Sequence, residues 1–414
     1  MNKVQVLFQG WGQSWTVGTL AQRGRIALFE YADEALARGI ELSPLRTPLQ
    51  KQTYSGFPDH LGGVPGFVAD ALPDGWGLLL MDRVFRKAGR DPATLSTLDR
   101  LSFIGDRAMG ALVFRPVSEL EIAPDDLSLL QLAQAAHDVV EDRDTDALKT
   151  LALIGGSPQG ARPKALVQFD PATRRVSTDP MARGTPWLVK FPSQNEHVEV
   201  CGIEVAYARL AQAAGIDMPP VHHFKLSPRL AAFGVERFDR CDGLRVPVQS
   251  LAALLHADFR LPSVDYQQLL AATKFATASQ PEVLKAYRRC VFNVVFNNRD
   301  DHTKNFALRM NRQLAWELAP AFDLTFNTGP GGYHQMSVMG EARAPGREHL
   351  LRLARACDIA APLAIRTIDE LSSVSQGLSE ALDQGGVRRA TRQAIMAVVA
   401  GNLRRCGESA QPSA

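Results

Sequence analysis

Apolar and polar residues alternate from the start of the chain. Val4-Gln5-Val6-Leu7 and Thr16-Val17-Gly18-Thr19-Leu20 read as two strands about a turn at Gly10 to Gly12, and Ile26 to Tyr31 reads as a third. From residue 67 to 88 the apolar spacing becomes helical, with Asp74 or Gly75 able to start the helix. The pattern predicts a further helix over 92–106, a strand over Met109 to Phe114 and helix over 125–151, with Leu129, Leu132, Ala133, Ala136 and Val140 on one side. The first 150 residues are expected to form one α+β unit whose charges are solvated and which carries no obvious chemistry.

The pattern changes at 154–169, where Gly155, Gly156, Ser157, Gly160 and Ala161 precede a strand over Ala165 to Phe169. Arg162 and Lys164 are expected in the loop. Glycines let backbone N–H groups approach a phosphate, and basic side chains add charge. No GxxxxGK[ST] run is present, and most Gly-rich turns before strands are only turns. A loop or hairpin turn is expected over 171–186. A strand over Trp187 to Pro192 follows, with Lys190 inside its apolar run. A lysine on a strand is usually solvent-facing; an inward one needs a partner or an anion. A helix over 196–213 offers Glu196, Glu199 and Glu204 as partners for Lys190, with nothing in the sequence to choose among them. Two more strands, Pro219 to Lys225 and Leu230 to Val235, lead into Glu236-Arg237-Phe238-Asp239-Arg240. Beyond residue 247 helices dominate, over 282–296, 347–356, 361–381 and 387–404. The last residues, 408–414, read as a disordered tail.

The most polar break in the apolar pattern lies at Arg299-Asp300-Asp301-His302-Thr303-Lys304-Asn305. Val291 to Phe296, helix or strand, leads into it. Phe306 to Leu308 and Leu314 to Leu318 can pair as a hairpin across Asn311-Arg312, and Ala321-Phe322-Asp323 follows. Phosphoryl transfer needs a carboxylate to orient the attacking hydroxyl and oxygen ligands to hold Mg²⁺ against phosphates. Asp300 and Asn305 have the Asp-x4-Asn spacing of a kinase catalytic loop, Arg299 precedes the Asp, and Asp323 is a later acid. A polar loop with capping Asp and Asn is the competing reading; the added Asp323 and the flanking strands favour a site. Asp301 lacks the spacing, so Asp301→Gly is expected to keep substantial activity.

Composition narrows the class. The 414 residues are 45% hydrophobic and 22% charged, as in an ordinary globular protein of two or three lobes. No apolar run approaches the roughly 20 residues of a membrane span, and no membrane partner is expected. The first residues lack the basic-then-apolar pattern of a signal peptide. A net charge of +2 gives no nucleic-acid footprint. Cys201, Cys241, Cys290, Cys357 and Cys406 are too scattered for a metal motif and read as reduced thiols of a cytoplasmic protein.

GARPKALV, WLVKFP, VERFDR, NRDDHTKNFAL and LAPAFDL occur here in the order seen in HipA-type toxin kinases, and nearly the whole chain resembles that family. FEY, LPDGWG and GDRAMGALVF resemble its N-terminal subdomain, and HQMSVMGEA resembles the stretch after the second Asp. The resemblance implies an α+β, two-lobed, protein-kinase-like fold related to phosphoinositide kinases. It implies an N-terminal subdomain over 1–150, an ATP-binding lobe over 151–240 and a helical catalytic lobe over 241–407. It also implies a Ser/Thr kinase that uses ATP and Mg²⁺, acts as a toxin, and is restrained by a small helix-turn-helix antitoxin, HipB, through which it reaches DNA only indirectly. An aminoacyl-tRNA synthetase is the best-known substrate class of the family.

Residue by residue, Asp300 resembles the catalytic base, with His302 and Lys304 beside the phosphates. Asn305 and Asp323 resemble the Mg²⁺ ligands, and Lys190 the lysine that grips ATP. Gly160, Ala161, Arg162 and Lys164 resemble the phosphate loop, and Glu236 and Phe238 the linker that faces adenine. Ser157 falls where the family carries its autophosphorylated serine. A His-Gln-Glu-Asp segment common after the linker is replaced here by RVPVQSLAALL, and Pro158 follows Ser157. Two other readings are a catalytically weak regulator that represses transcription with a DNA-binding partner, and a metal-dependent hydrolase using Asp300, Asp301, His302 and Asp323. Intact Lys190 and Asp300 argue against the first. The second leaves Lys190 and the Gly-rich loop without a role.

Overall fold

The alternation at the N terminus builds an antiparallel sheet. Its strands are β1 (Lys3–Gly10), β2 (Gln13–Arg23), β3 (Ile26–Tyr31), β4 (Thr53–Tyr54) and β5 (Leu112–Arg115), in the order β4-β3-β2-β1-β5. Val4, Val6 and Phe8 of β1 have no exposed surface, and each contributes about 1.5–3 kcal/mol by burial. The computed structural model describes residues 1–24, 26–118, 126–141, 143, 145, 147–155, 158–194, 196–227 and 230–407. Ser157, Gly156 and the tail over 408–414 lie outside them. The chain divides into two compact units, Met1–Val198 with His222–Gln249, and Glu199–Val221 with Ser250–Ala414.

The first unit also holds α1 (Asp33–Arg38), α2 (Gly66–Ala69), α3 (Gly75–Lys87), α4 (Thr97–Ile104), α5 (Leu129–Val140) and α6 (Leu148–Gly155). The helix expected from residue 92 starts at Thr97 because Ser96 and Asp99 cap each other's backbone N–H groups. The single helix expected over 125–151 is two, since the acid-rich run after Val140 opposes the dipole of a helix C-terminus. A second sheet, ordered β7-β6-β8-β10-β9, is made by β6 (Lys164–Asp170), β7 (Arg175–Ser177), β8 (Thr185–Lys190), β9 (Val221–Ser227) and β10 (Leu230–Glu236). Phe169 packs its ring edge-on against Trp187 and Phe224, with centroids 5.1 and 4.9 Å away. Strands β11 (Arg240–Cys241) and β12 (Leu244–Arg245) form a tight hairpin over Asp242-Gly243, whose φ values of 50° and 75° suit that turn. β13 (Val248–Ser250) follows.

In the second unit α7 (Glu199–Ala213) joins α8 (Leu251–Leu255), α9 (Tyr266–Thr277), α10 (Gln280–Val295), α11 (Arg347–Ala356), α12 (Ala361–Val374), α13 (Leu378–Gln384) and α14 (Arg389–Gly407). The 291–296 run, open between helix and strand in the sequence, is the end of α10 and its cap. Tyr207, Tyr266, Tyr287, Phe292 and Phe296 are its large fully buried side chains. A Cβ on Gly202 would lie 2.1 Å from the Gly385 carbonyl oxygen, so α7 and the end of α13 meet backbone to backbone. Short strands β14 (Val264–Asp265) and β17 (Met336–Ser337) pair in parallel, and β15 (Ala307–Met310) and β16 (Trp316–Leu318) form the expected antiparallel hairpin. Among the described residues no helix is long and apolar enough to cross a membrane.

Candidate active site

In the first unit, Lys164 is not in the loop as expected but is the first residue of β6. It lies directly opposite Lys190, the last residue of β8, and Phe233 of β10 flanks Lys190 on the other side. Cross-strand partners project from the same face of a sheet, so the two side chains are neighbours. They are 3% and 7% exposed. Burying two like charges side by side is costly unless each has a partner. The Lys164 ammonium donates to the Gln159 carbonyl, and Lys190 Nζ sits 5.5 Å from the centre of the Phe233 ring.

The glycine-rich loop is braced by the N-terminal motif LPDGWG. The Asp74 carboxylate accepts the Gly160 N–H. Trp76 donates its backbone N–H to the Gly160 carbonyl at 3.1 Å and its indole N–H to the Lys164 carbonyl at 2.9 Å. Gly75, at φ 39°, has room for no side chain, because a Cβ there would come 2.8 Å from Ala161 Cα. Gly160, at φ 107°, adopts a backbone conformation that residues with a side chain rarely take. Ala161 is exposed at the crest of the loop. Arg162 donates to Glu196 at 3.0 and 2.6 Å. Residues 67–88 display no chemistry of their own in the sequence; the paired glycines of LPDGWG are the signal of this close approach.

Of the three glutamates considered for Lys190, Glu196 is thus held by Arg162. Glu199 is held in the second unit by Arg388, at 2.5 and 3.1 Å, and by the Thr391 hydroxyl at 3.0 Å. The Arg388 hydrogen bonds outweigh the opposing effect of burial and bring the Glu199 carboxyl down to about 2. Glu204 is buried. Glu236 ends β10 opposite Trp187, the Arg237 N–H donates to the Pro186 carbonyl at 2.9 Å, and Phe238 is half-buried.

In the second unit, the stretch after α10 turns alternate acids in opposite directions. The Asp300 side chain is 43% exposed, with His302 Nε2 3.8 Å from its carboxylate. The Asn305 side-chain amide donates to the Asp300 carbonyl at 2.7 Å, which fixes one relative to the other. Lys304 Nζ lies 4.2 Å from the centre of the Phe259 ring and the His302 ring lies 5.5 Å from it, so one aromatic face supports both. Asp323 follows the hairpin at φ 58°, a left-handed conformation that Asp tolerates better than most residues. Its neighbour Phe322 and Asn305 line one small cavity with Arg289, Asn293 and Asp301. Asn305 and Asp323 are oxygen donors. Among the described residues no cluster of three or more His, Cys, Asp or Glu could hold a metal alone. Mg²⁺ bound with a nucleotide uses only one or two carboxylates beside the phosphates, and this donor set fits it.

Asp301 points the other way, into the core, so its replacement by Gly is expected to act on stability. It is 0% exposed. It accepts hydrogen bonds from Tyr266 Oη at 2.7 Å, His334 Nδ1 at 2.8 Å and the Gln335 N–H at 2.8 Å. Tyr266 is fixed in turn by the Asn293 amide at 2.9 Å, and Asn293 accepts from Asn298 at 3.0 Å. This network ties α9, α10 and the HQMSVMGEA stretch to the base of the Asp300 loop. Its missing sequence signal was the His334-Gln335 pair, which the motif contains.

The fold matches that of a HipA from Shewanella oneidensis MR-1, solved in complex with HipB and its operator DNA. The TM-score is 0.68, with 18% identity over 97% of this chain and 96% of that one. This is the kinase-like, two-lobed fold that the sequence motifs imply. Residues 9–115 match the HipA N-terminal domain and residues 156–378 the HipA-like C-terminal domain, and since the second alone covers more than half of the chain, the protein belongs to the HipA family. A Sinorhizobium fredii protein named as a kinase, Y4mE, is 28% identical over 215 residues; the aligned part is 44% of this chain and 46% of that protein, so the chain spans about half the relative's length. The Helicobacter pylori proinflammatory kinase CtkA overlaps with a TM-score of 0.34 and 12% identity, over 53% of this chain and 89% of that one.

Proposed function

We propose that the chain is an ATP- and Mg²⁺-dependent Ser/Thr protein kinase, the toxin of a type II toxin–antitoxin pair. The observation that carries this reading is the placement of buried Lys190 directly opposite Lys164, where the strand leaves the glycine-rich loop, as the family's phosphate-gripping motifs require. Lys190, Lys164, Arg162 and the Gly160-Ala161 backbone hold the ATP phosphates. The Glu236 to Phe238 backbone holds the adenine. Asp300 accepts the proton of the attacking hydroxyl, and His302 and Lys304 stabilise charge on the transferred group. Asn305 and Asp323 would hold Mg²⁺, which supplies neutralisation of the phosphate charge. Self-phosphorylation falls on Ser157, where about −1.5 to −2 charges would repel ATP. The test is incubation of the purified protein with γ-labelled ATP and Mg²⁺. Labelled phosphoserine, including at Ser157, is expected in wild type and lost in Asp323→Asn; equal labelling of both would refute the assignment.

The regulatory partner is a HipB-like helix-turn-helix antitoxin, which brings the chain to DNA, and the substrate is a translation protein such as an aminoacyl-tRNA synthetase. Support comes from family membership and from the matched HipA having been solved with HipB and operator DNA. Co-expression with the helix-turn-helix protein of a neighbouring reading frame should yield a stable complex and relieve growth arrest. Separate elution of the two proteins with arrest unrelieved would remove the antitoxin from the reading.

A further inference from the structure

The linker that carries Glu236 and Phe238 is fastened to the N-terminal sheet through one buried carboxylate. Asp239 is 2% exposed and accepts four donors. Arg237 forks onto both of its oxygens at 2.8 Å each, Arg240 donates at 2.7 Å, and the Gly110 N–H donates at 2.9 Å. Gly110 belongs to the GDRAMGALVF loop that enters β5. Arg245 grips the carbonyls of the same loop, at 2.6 Å for Asp106, 2.8 Å for Ala108, 2.9 Å for Gly110 and 3.1 Å for Leu112. The turn between β1 and β2 joins in, as Trp11 donates its N–H to the Arg245 carbonyl at 2.9 Å. Burial opposes the ionised form of Asp239, but Arg237 and Arg240 outweigh it and hold the carboxyl well below the usual range.

The placement is specific. Asp239 is one residue beyond Phe238, and Arg237 lies between Glu236 and Phe238. The clamp therefore constrains the same short backbone on both sides. Strand β10 sets its start through pairing with β8, and the Asp239 cluster sets its end. Surface ion pairs contribute little, but a buried carboxylate with three charged or backbone partners has one low-energy arrangement, and loss of any partner leaves the others uncompensated.

We propose that Asp239 is a positioning residue for nucleotide-base recognition, and that through Gly110 and Arg245 it makes base affinity answer to the N-terminal sheet. This rests on the kinase reading. Neither Asp239 nor Gly110 is assigned contact with the nucleotide. Both act by fixing where the Glu236 to Phe238 peptides present their N–H and carbonyl groups. Coupling of this kind is reciprocal: whatever shifts the 106–112 loop changes adenine affinity, and adenine binding stiffens that loop.

The experiment separates base from phosphate binding by calorimetry on the full chain, with adenosine and inorganic tripolyphosphate with Mg²⁺ as probes. Asp239→Asn keeps the shape of the side chain but removes its charge. It is expected to weaken adenosine binding at least tenfold and to leave tripolyphosphate within twofold. Gly110→Ala puts a Cβ 3.3 Å from the Val248 nitrogen at φ 69°, displacing the N–H on the far side of the clamp, and should give the same base-selective loss. Should Asp239→Asn prove unfolded, hydrogen exchange on wild type decides: adenosine should slow exchange at Gly110 as well as at Glu236 and Phe238. Unchanged adenosine affinity in folded variants, equal loss of both probes, or no protection at Gly110 overturns the proposal. A wild type that binds tripolyphosphate and no adenosine or ATP overturns the kinase reading itself.

Discussion

Asp300→Asn should reduce phosphoryl transfer by about 10²–10⁴-fold, the range for removal of a general base, while leaving nucleotide binding and the fold nearly unchanged. The asymmetry follows from the position of the side chain. Asp300 is 43% exposed, so its carboxylate is not part of a packed core. Its backbone carbonyl, which any residue supplies, is what holds the Asn305 amide. Replacement by Asn preserves size and removes the charge that accepts the proton. Thermal midpoints should agree within about 2 °C, as for substitutions costing under ~0.5 kcal/mol. ATP titration of the variant should give an affinity within a few-fold of wild type. Transfer at the wild-type rate would mean that another group is the base; loss of nucleotide binding would mean that Asp300 holds metal rather than the acceptor.

The adjacent acid should behave in the opposite way. Asp301→Gly is expected to cost about 3–5 kcal/mol of stability, the range for breaking a buried charged or hydrogen-bonded pair. That is a large part of the ~5–15 kcal/mol that stabilises a typical domain. The change leaves the Tyr266 hydroxyl, His334 Nδ1 and the Gln335 N–H without their shared acceptor in a site closed to water. Activity falls with the folded fraction and with the order of the Asp300 loop. Tyr266→Phe removes a single contact and should cost about 0.5–1.5 kcal/mol, the net worth of one hydrogen bond. Urea denaturation followed by tryptophan fluorescence measures both. A midpoint for Asp301→Gly within error of wild type would show that the network carries no stability.

What the sequence revealed and concealed divides along physical lines. Period-two alternation found β1 to β3, and the tie between Asp300 and Asn305 was within reach of the sequence because both lie in one short loop. The burial of Asp301 was hidden because spacing along a chain does not say which side of a loop a carboxylate faces. Its burial depends on Tyr266 and His334, 35 and 33 residues away. Glu199 could not be set aside as a partner for Lys190 because Arg388, which holds it, lies 189 residues further on. LPDGWG and GDRAMGALVF looked inert for a related reason. Their roles are to touch Gly160 and Asp239, 86 and 129 residues on, mostly through backbone groups that a sequence does not display.

The interleaving of the two units has a consequence on the ribosome. Helix α7 belongs to the second unit but is made before the chain returns to finish the first with residues 222–249. Tyr207 must wait for the Phe296 carbonyl, which it reaches at 2.7 Å, and Gly202 must wait for Gly385. At about 5–20 residues per second, the stretch from Gly202 to Gly385 takes on the order of ten seconds or more to synthesise. Throughout that interval an apolar helix, with Val205, Ala206, Tyr207 and Leu210 destined for burial, has no finished core to enter. Nascent chains halted between residues 250 and 385 should therefore be avid chaperone clients, and full-length chains should not.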